Sequence, residues 1–121
     1  MRTYIVDSNA WISYFQEKPV LKSLIEESQL KTPTLALAEV LRVLQLKKED
    51  PNKIRDIGSY IQRRSVLLDL DAEKAVQSAT FSVQEKMHLS DAIIYSYASV
   101  GEPVLTGDSD FKGKRFVEFI E

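Results

Sequence analysis

The chain has 121 residues, of which 44% are hydrophobic and 28% are charged, the proportions of an ordinary folded protein. This length predicts one domain over residues 1–121, large enough to bury a core without disulfides. There is no cysteine, and His88 is the only histidine, so thiolate zinc sites and multi-histidine metal centres are excluded. With 16 basic and 18 acidic residues the net charge is -2, so any contact with nucleic acid must come from a local basic patch.

Neither export nor membrane insertion is indicated by the sequence. Residues 1–7 contain no long apolar run and no small-residue cleavage site. No stretch approaches the ~20 apolar residues that are needed to span a bilayer. We therefore expect a cytoplasmic protein without a membrane span.

Short apolar runs alternate with longer helical segments along the chain. Runs with strand composition lie at Thr3–Val6, Leu30–Thr32, Val66–Leu70, Glu102–Thr106 and Phe116–Ile120. Helices are predicted at Ala10–Phe15, Leu21–Glu27, Leu35–Lys48, Asn52–Arg64, from Asp71 to about Met87, and at His88–Ser99. We interpret Val66–Leu70 as a buried strand and Ser90 as the cap of the last helix. Strands joined by helical crossovers favour right-handed βαβ units, so the sequence predicts a three-layer α/β/α domain with a mostly parallel sheet.

Several acidic residues follow the predicted strands or begin the predicted helices. Asp7 comes directly after the first strand, and Asp108 and Asp110 follow the strand that ends at Thr106. Asp91 lies in the first turn of a helix. In parallel α/β sheets, ligands bind beyond the carboxyl ends of the strands, where these residues fall. Each also has a structural explanation, as a helix cap, a complement to the helix dipole or a turn former.

Glu39 lies within the predicted helix Leu35–Lys48, where nearly all of its neighbours are apolar. A buried carboxylate without a partner costs several kcal/mol even after the surroundings relax. One explanation is an ion pair with Arg42, three residues further along the helix. The other is that Glu39 faces a polar site, and the sequence leaves both open.

Clustered carboxylates repel one another and require a compensating positive charge. Without cysteine or several histidines, the cation that suits such a cluster is Mg²⁺ or Mn²⁺, which prefers oxygen ligands. A site of this kind supports phosphodiester hydrolysis, because the metal activates water and neutralises charge on the leaving phosphate.

Four segments of the chain carry a resemblance to a known family. They are Ile5–Asn9, Leu37–Leu41, Leu89–Ile94 and Val104–Phe111, and together they contain all of these acidic residues. In these segments, and in their order over essentially the whole chain, the sequence resembles PIN-domain ribonucleases. Within that family it is most similar to the VapC toxins of bacterial and archaeal toxin–antitoxin pairs. The ordered set of four segments, rather than any single one, carries the resemblance.

The resemblance implies a PIN-like fold and an Mg²⁺- or Mn²⁺-dependent endoribonuclease that hydrolyses RNA phosphodiester bonds. Position by position, it implies catalytic and metal-binding roles for Asp7, Glu39, Asp91 and Asp108. Asp110 matches a further acidic position, and Ser8, Asn9 and Thr106 match polar supporting positions. It also implies a VapB-like antitoxin protein as partner, and a homodimer.

Two other features bear on partners. Lys112, Lys114 and Arg115 come just after Asp110, so they are candidates for contacts with RNA phosphates, although a solvated surface run explains them equally well. The helix from Leu35 to Leu46 is more apolar than one buried face requires, which favours an interface with the antitoxin or a second copy.

His88 is interpreted as a surface or capping residue without a catalytic role.

Two alternative functions remain at this stage. A receiver-type signalling domain would use Asp69, after the run Val66–Leu70, as its phosphoacceptor. Against it, only Asp7 follows the first strand, where a receiver carries paired acids, and no lysine follows the late strand at Thr106. The other alternative is a catalytically silent PIN domain that acts as a binding module.

Overall fold

The computed structural model describes residues 1–121 and alternates strands with helices along the whole chain. The strands are β1 (Thr3–Val6), β2 (Gln29–Pro33), β3 (Val66–Leu68), β4 (Val104–Thr106) and β5 (Val117–Phe119). The α-helices are α1 (Ser8–Phe15), α2 (Pro19–Glu26), α3 (Thr34–Leu46), α4 (Pro51–Arg64), α5 (Ala72–Gln84) and α6 (Leu89–Tyr95). A short 3-10 helix, Ser109–Phe111, follows β4. None of the helices is both long and apolar enough to cross a membrane.

The five strands form one sheet in the order β3-β2-β1-β4-β5. Every neighbouring pair is parallel, for example Ile5 beside Val104 between β1 and β4. The carboxyl ends of all five strands therefore meet at one edge of the sheet. The predicted α/β fold is confirmed, and the sheet is parallel throughout rather than mostly parallel.

Side chains of β1 alternate between two cores, one on each face of the sheet. Tyr4 and Val6 point into a core that they share with buried residues of α1, α2, α3 and α4. Ile5 points into the second core, which includes Ala92 and Ile94 of α6. Because successive side chains of a strand face opposite sides of the sheet, this short apolar strand packs against the helices on both faces. The result is the three-layer architecture.

The apolar character of α3 is used mainly inside the fold. This helix packs against α1, α4, α6 and β2, so several of its sides are covered. Among its large hydrophobic residues, Leu46 at the C-terminal end is the one that is mostly exposed. The composition of α3 is therefore explained by contacts within the chain and does not by itself indicate an interface.

Three local predictions were wrong. The run that begins at Val66 is not a buried strand, because β3 lies at the edge of the sheet, pairs only with β2 and leaves Val66 60% exposed. The last predicted helix is shorter, since α6 ends at Tyr95 and the Ser96 hydroxyl donates a hydrogen bond to the Ile93 carbonyl at 2.6 Å. The N-cap position of α6 belongs to the exposed His88, which makes no side-chain capping bond, and Ser90 lies inside the helix.

Candidate active site

Asp7 lies where β1 ends and α1 begins, at the centre of the sheet's carboxyl edge, and is only 2% exposed. One carboxylate oxygen accepts a hydrogen bond from the Ser8 amide at 2.8 Å, and the other accepts one from the Thr106 hydroxyl at 2.7 Å. An N-cap side chain usually accepts from the second or third amide of its helix, whereas Ser8 is the first residue of α1. The position of Asp7 is therefore not explained by capping alone.

Burial raises the pKa of the Asp7 carboxyl, and the negative charge of Asp108 raises it further. The hydrogen bonds from Thr106 and Ser8 act in the opposite direction, because they favour the ionised form. Asp7 is thus a buried carboxylate that lies within electrostatic reach of another carboxylate.

A chain of short hydrogen bonds connects the ends of β1 and β4. The Thr106 hydroxyl, which donates to Asp7, also accepts a hydrogen bond from the Asp108 amide at 3.0 Å. The Asn9 side-chain oxygen accepts one from the Gly107 amide at 2.8 Å. These bonds fix the position of Asp108 relative to Asp7.

Gly107 is a supporting residue that the sequence analysis missed. A Cβ atom at this position would lie 2.6 Å from the Ile120 carbonyl oxygen and 3.0 Å from the Asn9 side-chain oxygen. Any larger residue would therefore push apart the contacts that hold Asp108. The signal in the sequence was a glycine directly between Thr106 and Asp108.

Three aspartates form the densest acidic group of the molecule, and we call Asp91, Asp108 and Asp110 the aspartate trio. One carboxylate oxygen of each lies within 4.8 Å of those of the other two. Asp91 comes from the first turn of α6, and Asp108 and Asp110 come from the 3-10 turn after β4. The Asp110 amide donates to the Asp108 carboxylate at 2.9 Å, which holds this turn closed.

Besides burial, the charges of the other four acidic residues all raise the pKa of Asp91, and those of Asp7 and Asp108 raise the pKa of Glu39. Burial raises the pKa of Asp91 to about 6, and the charges of Asp108, Asp7, Asp110 and Glu39 contribute in that order. Burial also raises the pKa of the half-buried Glu39, followed by the charge of Asp7. Glu39 and Asp7 lie outside the trio but next to it. We call the five residues together the carboxylate cluster.

No basic side chain neutralises the carboxylate cluster. The five ion pairs of the molecule involve none of its members, and Arg42 is exposed and makes no ion pair with Glu39. Of the two explanations for Glu39, the structure therefore favours the one in which it faces a polar site. A group of carboxylates without histidine, thiolate or lysine fits a hard divalent cation such as Mg²⁺ or Mn²⁺, which would be held by the aspartate trio.

The three basic candidates after Asp110 make different contacts, and none forms an ion pair with the carboxylate cluster. Lys112 is exposed and reaches Glu121 at 3.6 Å. Lys114 is half-buried and contacts the Glu85 carboxylate at 3.5 Å. The Arg115 guanidinium lies over the Phe116 ring, 4.9 Å from its centroid. The segment thus runs from the carboxyl edge of the sheet back to the amino end of β5.

Comparison with protein families identifies the class to which this fold and edge geometry belong. The sequence model of the PIN domain matches residues 4–117, nearly the whole chain. The chain therefore belongs to the PIN domain family. No curated protein matches the sequence closely enough to count as a relative.

Solved structures of toxins and toxin–antitoxin complexes share the fold. VapC20 of Mycobacterium tuberculosis, described as a sarcin-ricin loop cleaving toxin, aligns with a TM-score of 0.76 at 17% identity over 98% of this chain and 99% of that one. A DNA-bound VapBC of Salmonella typhimurium aligns with a TM-score of 0.76 at 15% identity over 99% and 98%. A toxin–antitoxin complex of Klebsiella pneumoniae gives 0.74 at 19% over 98% and 96%. At these identities the likeness establishes the fold.

Proposed function

We propose that this protein is a VapC-type toxin, a single-domain endoribonuclease of the cytoplasm that hydrolyses RNA phosphodiester bonds with Mg²⁺ or Mn²⁺. The observation that carries the proposal is the aspartate trio, whose oxygens lie within 4.8 Å of one another without a basic partner. It lies at the carboxyl edge of a parallel sheet, the usual ligand position in such folds. Membership of the PIN domain family supports the same conclusion.

The proposal gives the acidic residues different roles. Asp91, Asp108 and Asp110 would hold the cation, which supplies an activated water and charge neutralisation at the scissile phosphate when it is bound. Asp7, fixed by Thr106 and Ser8, would shape the same site from the buried side. Glu39 would add a carboxylate from α3, and Ser8, Asn9 and Thr106 would act as positioning residues.

The similar structures support an antitoxin protein as a partner of this chain. The Klebsiella structure is a toxin–antitoxin complex, and the Salmonella structure is a VapBC complex bound to DNA. By analogy, we propose that this chain is paired with a VapB-like antitoxin protein that restrains its activity. The test is coexpression with a candidate VapB-like protein, which should form a stable complex and abolish RNA cleavage.

The proposal also includes a homodimer, and α5 supplies a better surface for it than α3. Four exposed apolar residues, Ala72, Val76, Ala79 and Val83, follow the 4-3-4 spacing of a helix-pairing face. If two copies of α5 pair antiparallel about the midpoint of this face, each valine lies opposite an alanine of the other copy. This large-to-small match makes the face self-complementary, as a two-fold interface requires.

Sedimentation of the purified protein tests the homodimer. Val76→Glu would place a charge in the paired face, so the variant should sediment as a monomer where the parent chain is a dimer. Val20→Glu is the matched control, because Val20 is exposed on α2, away from the face. If the Val76→Glu variant still sediments as a dimer, the interface does not include this face of α5.

The receiver alternative finds little support. Asp69 is exposed beyond the edge strand β3, and β2 separates that strand from β1 and Asp7. A phosphoacceptor needs the other acidic residues around it, and here they gather at β1 and β4 instead. The chain is also matched by the PIN domain over residues 4–117.

Incubation with total RNA in the presence of Mn²⁺ or Mg²⁺ tests the proposed function. We expect internal cleavage that is lost in EDTA and in Asp91→Asn but kept in Asp69→Asn, the matched aspartate outside the cluster. Mapping the new ends would identify the RNA and the position of cleavage. A chain that binds Mn²⁺ but cuts no RNA would instead be the silent binding module.

A further inference from the structure

A cavity of about 540 Å³ opens between α5, α6 and the segment that leads into β5. The side chains that matter for its chemistry are Gln77, Gln84, Tyr95, Lys112, Arg115 and Phe116, and we call it the basic groove. None of these residues belongs to the carboxylate cluster, and the proposed chemistry gives the cavity no role.

The basic groove begins beside the aspartate trio. Lys112 comes two residues after Asp110, at the carboxyl edge of the sheet. Tyr95 comes four residues after Asp91 on α6, one helical turn or about 6 Å along the axis. At its other end the groove reaches Phe116, whose carbonyl accepts a hydrogen bond from Val104 at the start of β4. A chain that leaves the trio along this side of the sheet would enter the groove directly.

The groove carries unneutralised positive charge, although the whole chain is slightly acidic. Its only acidic residue, Glu85, is occupied by Lys114 at 3.5 Å. Lys112 meets Glu121 at 3.6 Å, but both side chains are mostly exposed, so this pair is worth little. Arg115 makes no ion pair with any carboxylate. Lys112 and Arg115 are therefore free to meet an anionic ligand such as a phosphate.

Phe116 has an unusual backbone conformation for an aromatic residue. Its φ is 59°, in the left-handed region that bulky side chains rarely adopt. In this conformation the ring lies under the Arg115 guanidinium, with 4.9 Å between the guanidinium carbon and the ring centroid. An aromatic ring paired with a guanidinium plane is a surface on which unpaired bases stack. Strain of this kind is concentrated at ligand-binding positions in proteins.

We propose that the basic groove binds the single-stranded RNA next to the scissile phosphate. Lys112 and Arg115 contact backbone phosphates, and a base stacks at Phe116. The amides of Gln77 and Gln84 line the same cavity and offer hydrogen bonds to a base edge. The identity of the ligand as RNA rests on the proposed function, whereas the affinity for a single-stranded polyanion rests on the groove itself.

Fluorescence anisotropy tests the groove without requiring cleavage. The probe is a fluorescein-labelled, mixed-sequence RNA of about 12 nucleotides, within the site sizes of single-strand binders, titrated with the full chain in EDTA. The double variant Lys112→Ala/Arg115→Ala should bind more weakly and lower the salt slope of log affinity by about 0.7 for each cation removed. The control is Lys47→Ala/Lys48→Ala, which removes the same charge from exposed residues after α3.

A second variant separates stacking from charge. Phe116→Asn removes the ring but suits the positive φ, because asparagine adopts this conformation readily. Loss of one stacked base should weaken binding about fivefold or more, with the salt slope unchanged. Circular dichroism of each variant checks that the chain is folded. Phe116→Asn should leave the affinity for a base-paired RNA of the same sequence unchanged.

The outcomes distinguish this proposal from the function on which it rests. Equal losses in the groove variants and the lysine control would overturn the groove, even if the chain cuts RNA. Weaker binding in the groove variants alone would support it, even if no RNA is cut and the proposed function fails. If Phe116→Asn weakens the base-paired RNA as much as the single strand, the stacking role is wrong.

Discussion

Aspartates follow both the central strand β1 and the edge strand β3, yet they behave differently in the two places. Beyond β3, Asp71 is exposed and accepts a hydrogen bond from the Lys74 amide at 2.8 Å, the ordinary bond of an N-cap. Beyond β1, Asp7 is buried and bonded to Thr106 of the neighbouring strand. The same residue type is a cap at the edge and part of a carboxylate cluster at the centre. The difference arises because β4, with Asp108 and Asp110 after it, pairs directly with β1.

The largest expected difference between the two regions is in catalysis. Asp91→Asn keeps the shape of the side chain but removes a charge from the aspartate trio, so RNA cleavage should fall about 100-fold or more. Asp71→Asn changes the same atoms at the edge and should leave the rate unchanged. Single-turnover cleavage of one defined RNA, with circular dichroism to check folding, measures both. Equal rates in the two variants would mean that the central carboxylates do not differ in function from the edge cap.

The next largest difference between the two regions should be in metal binding. Mn²⁺ that binds only the folded protein should raise the free energy of unfolding by about 2.7 kcal/mol at a hundredfold excess over its dissociation constant. Asp108→Asn should remove most of this gain, whereas Asp71→Asn should retain it. Chemical denaturation of the parent chain and both variants, with EDTA and with Mn²⁺, gives the six values that are needed. A gain that is the same in both variants would place the cation outside the trio.

The metal-free protein should also depend on pH through the central carboxylates. The pKa of Asp91 is raised from 3.8 to about 6, so the folded chain holds this proton more tightly than the unfolded chain. The resulting stability is fully present below about pH 4 and is lost as the pH rises through about 6. Asp7 and Glu39, whose pKa values are raised as well, act in the same direction.

Thermal melts in EDTA between pH 4 and 7 measure this dependence. Asp91→Asn cannot ionise at this position, so its melting temperature should fall less over this range than that of the parent chain. Asp71→Asn should follow the parent curve. A parent chain that becomes steadily more stable through pH 6 in EDTA would contradict the raised pKa values of the cluster, which burial and like charge produce.

The smallest expected effect belongs to the edge cap itself. Asp71→Ala removes the hydrogen bond to the Lys74 amide and should lower the free energy of unfolding by about 1 kcal/mol. Asn restores a capping oxygen, so Asp71→Asn should recover most of that loss. Urea denaturation of the parent chain, Asp71→Ala and Asp71→Asn measures these free energies of unfolding. The cleavage rate should be the same in all three proteins.

Local signals predicted most of the fold. The short apolar run before Asp7, the apolar helix after Pro33 and the strand ending at Thr106 were found because composition and caps act over a few residues. The prediction was wrong at Val66, where composition indicates a buried strand but the position in the sheet decides exposure. Sheet order is a property of the whole chain, and no local pattern reports it.

The carboxylate cluster was only partly accessible to sequence reasoning. The positions of Asp7, Asp91 and Asp108 at strand and helix ends indicated a shared edge, but the pairing of β1 with β4 was needed to bring them together. Whether Glu39 pairs with Arg42 depends on side-chain placement, which the sequence left open. The sequence left the contacts of Lys112, Lys114 and Arg115 open, and in the structure they meet Glu121, Glu85 and the Phe116 ring around one cavity.

We propose that the carboxylates at the centre of the sheet share a cation and that this cation is required to cut RNA. The most direct test titrates Mn²⁺ into the metal-free protein and measures, in the same buffer, the single-turnover cleavage rate and the gain in thermal stability. We expect both to saturate with the same midpoint, and Asp91→Asn to weaken both together. Cleavage that persists in EDTA, or a cleavage midpoint unrelated to that of stabilisation, would contradict it.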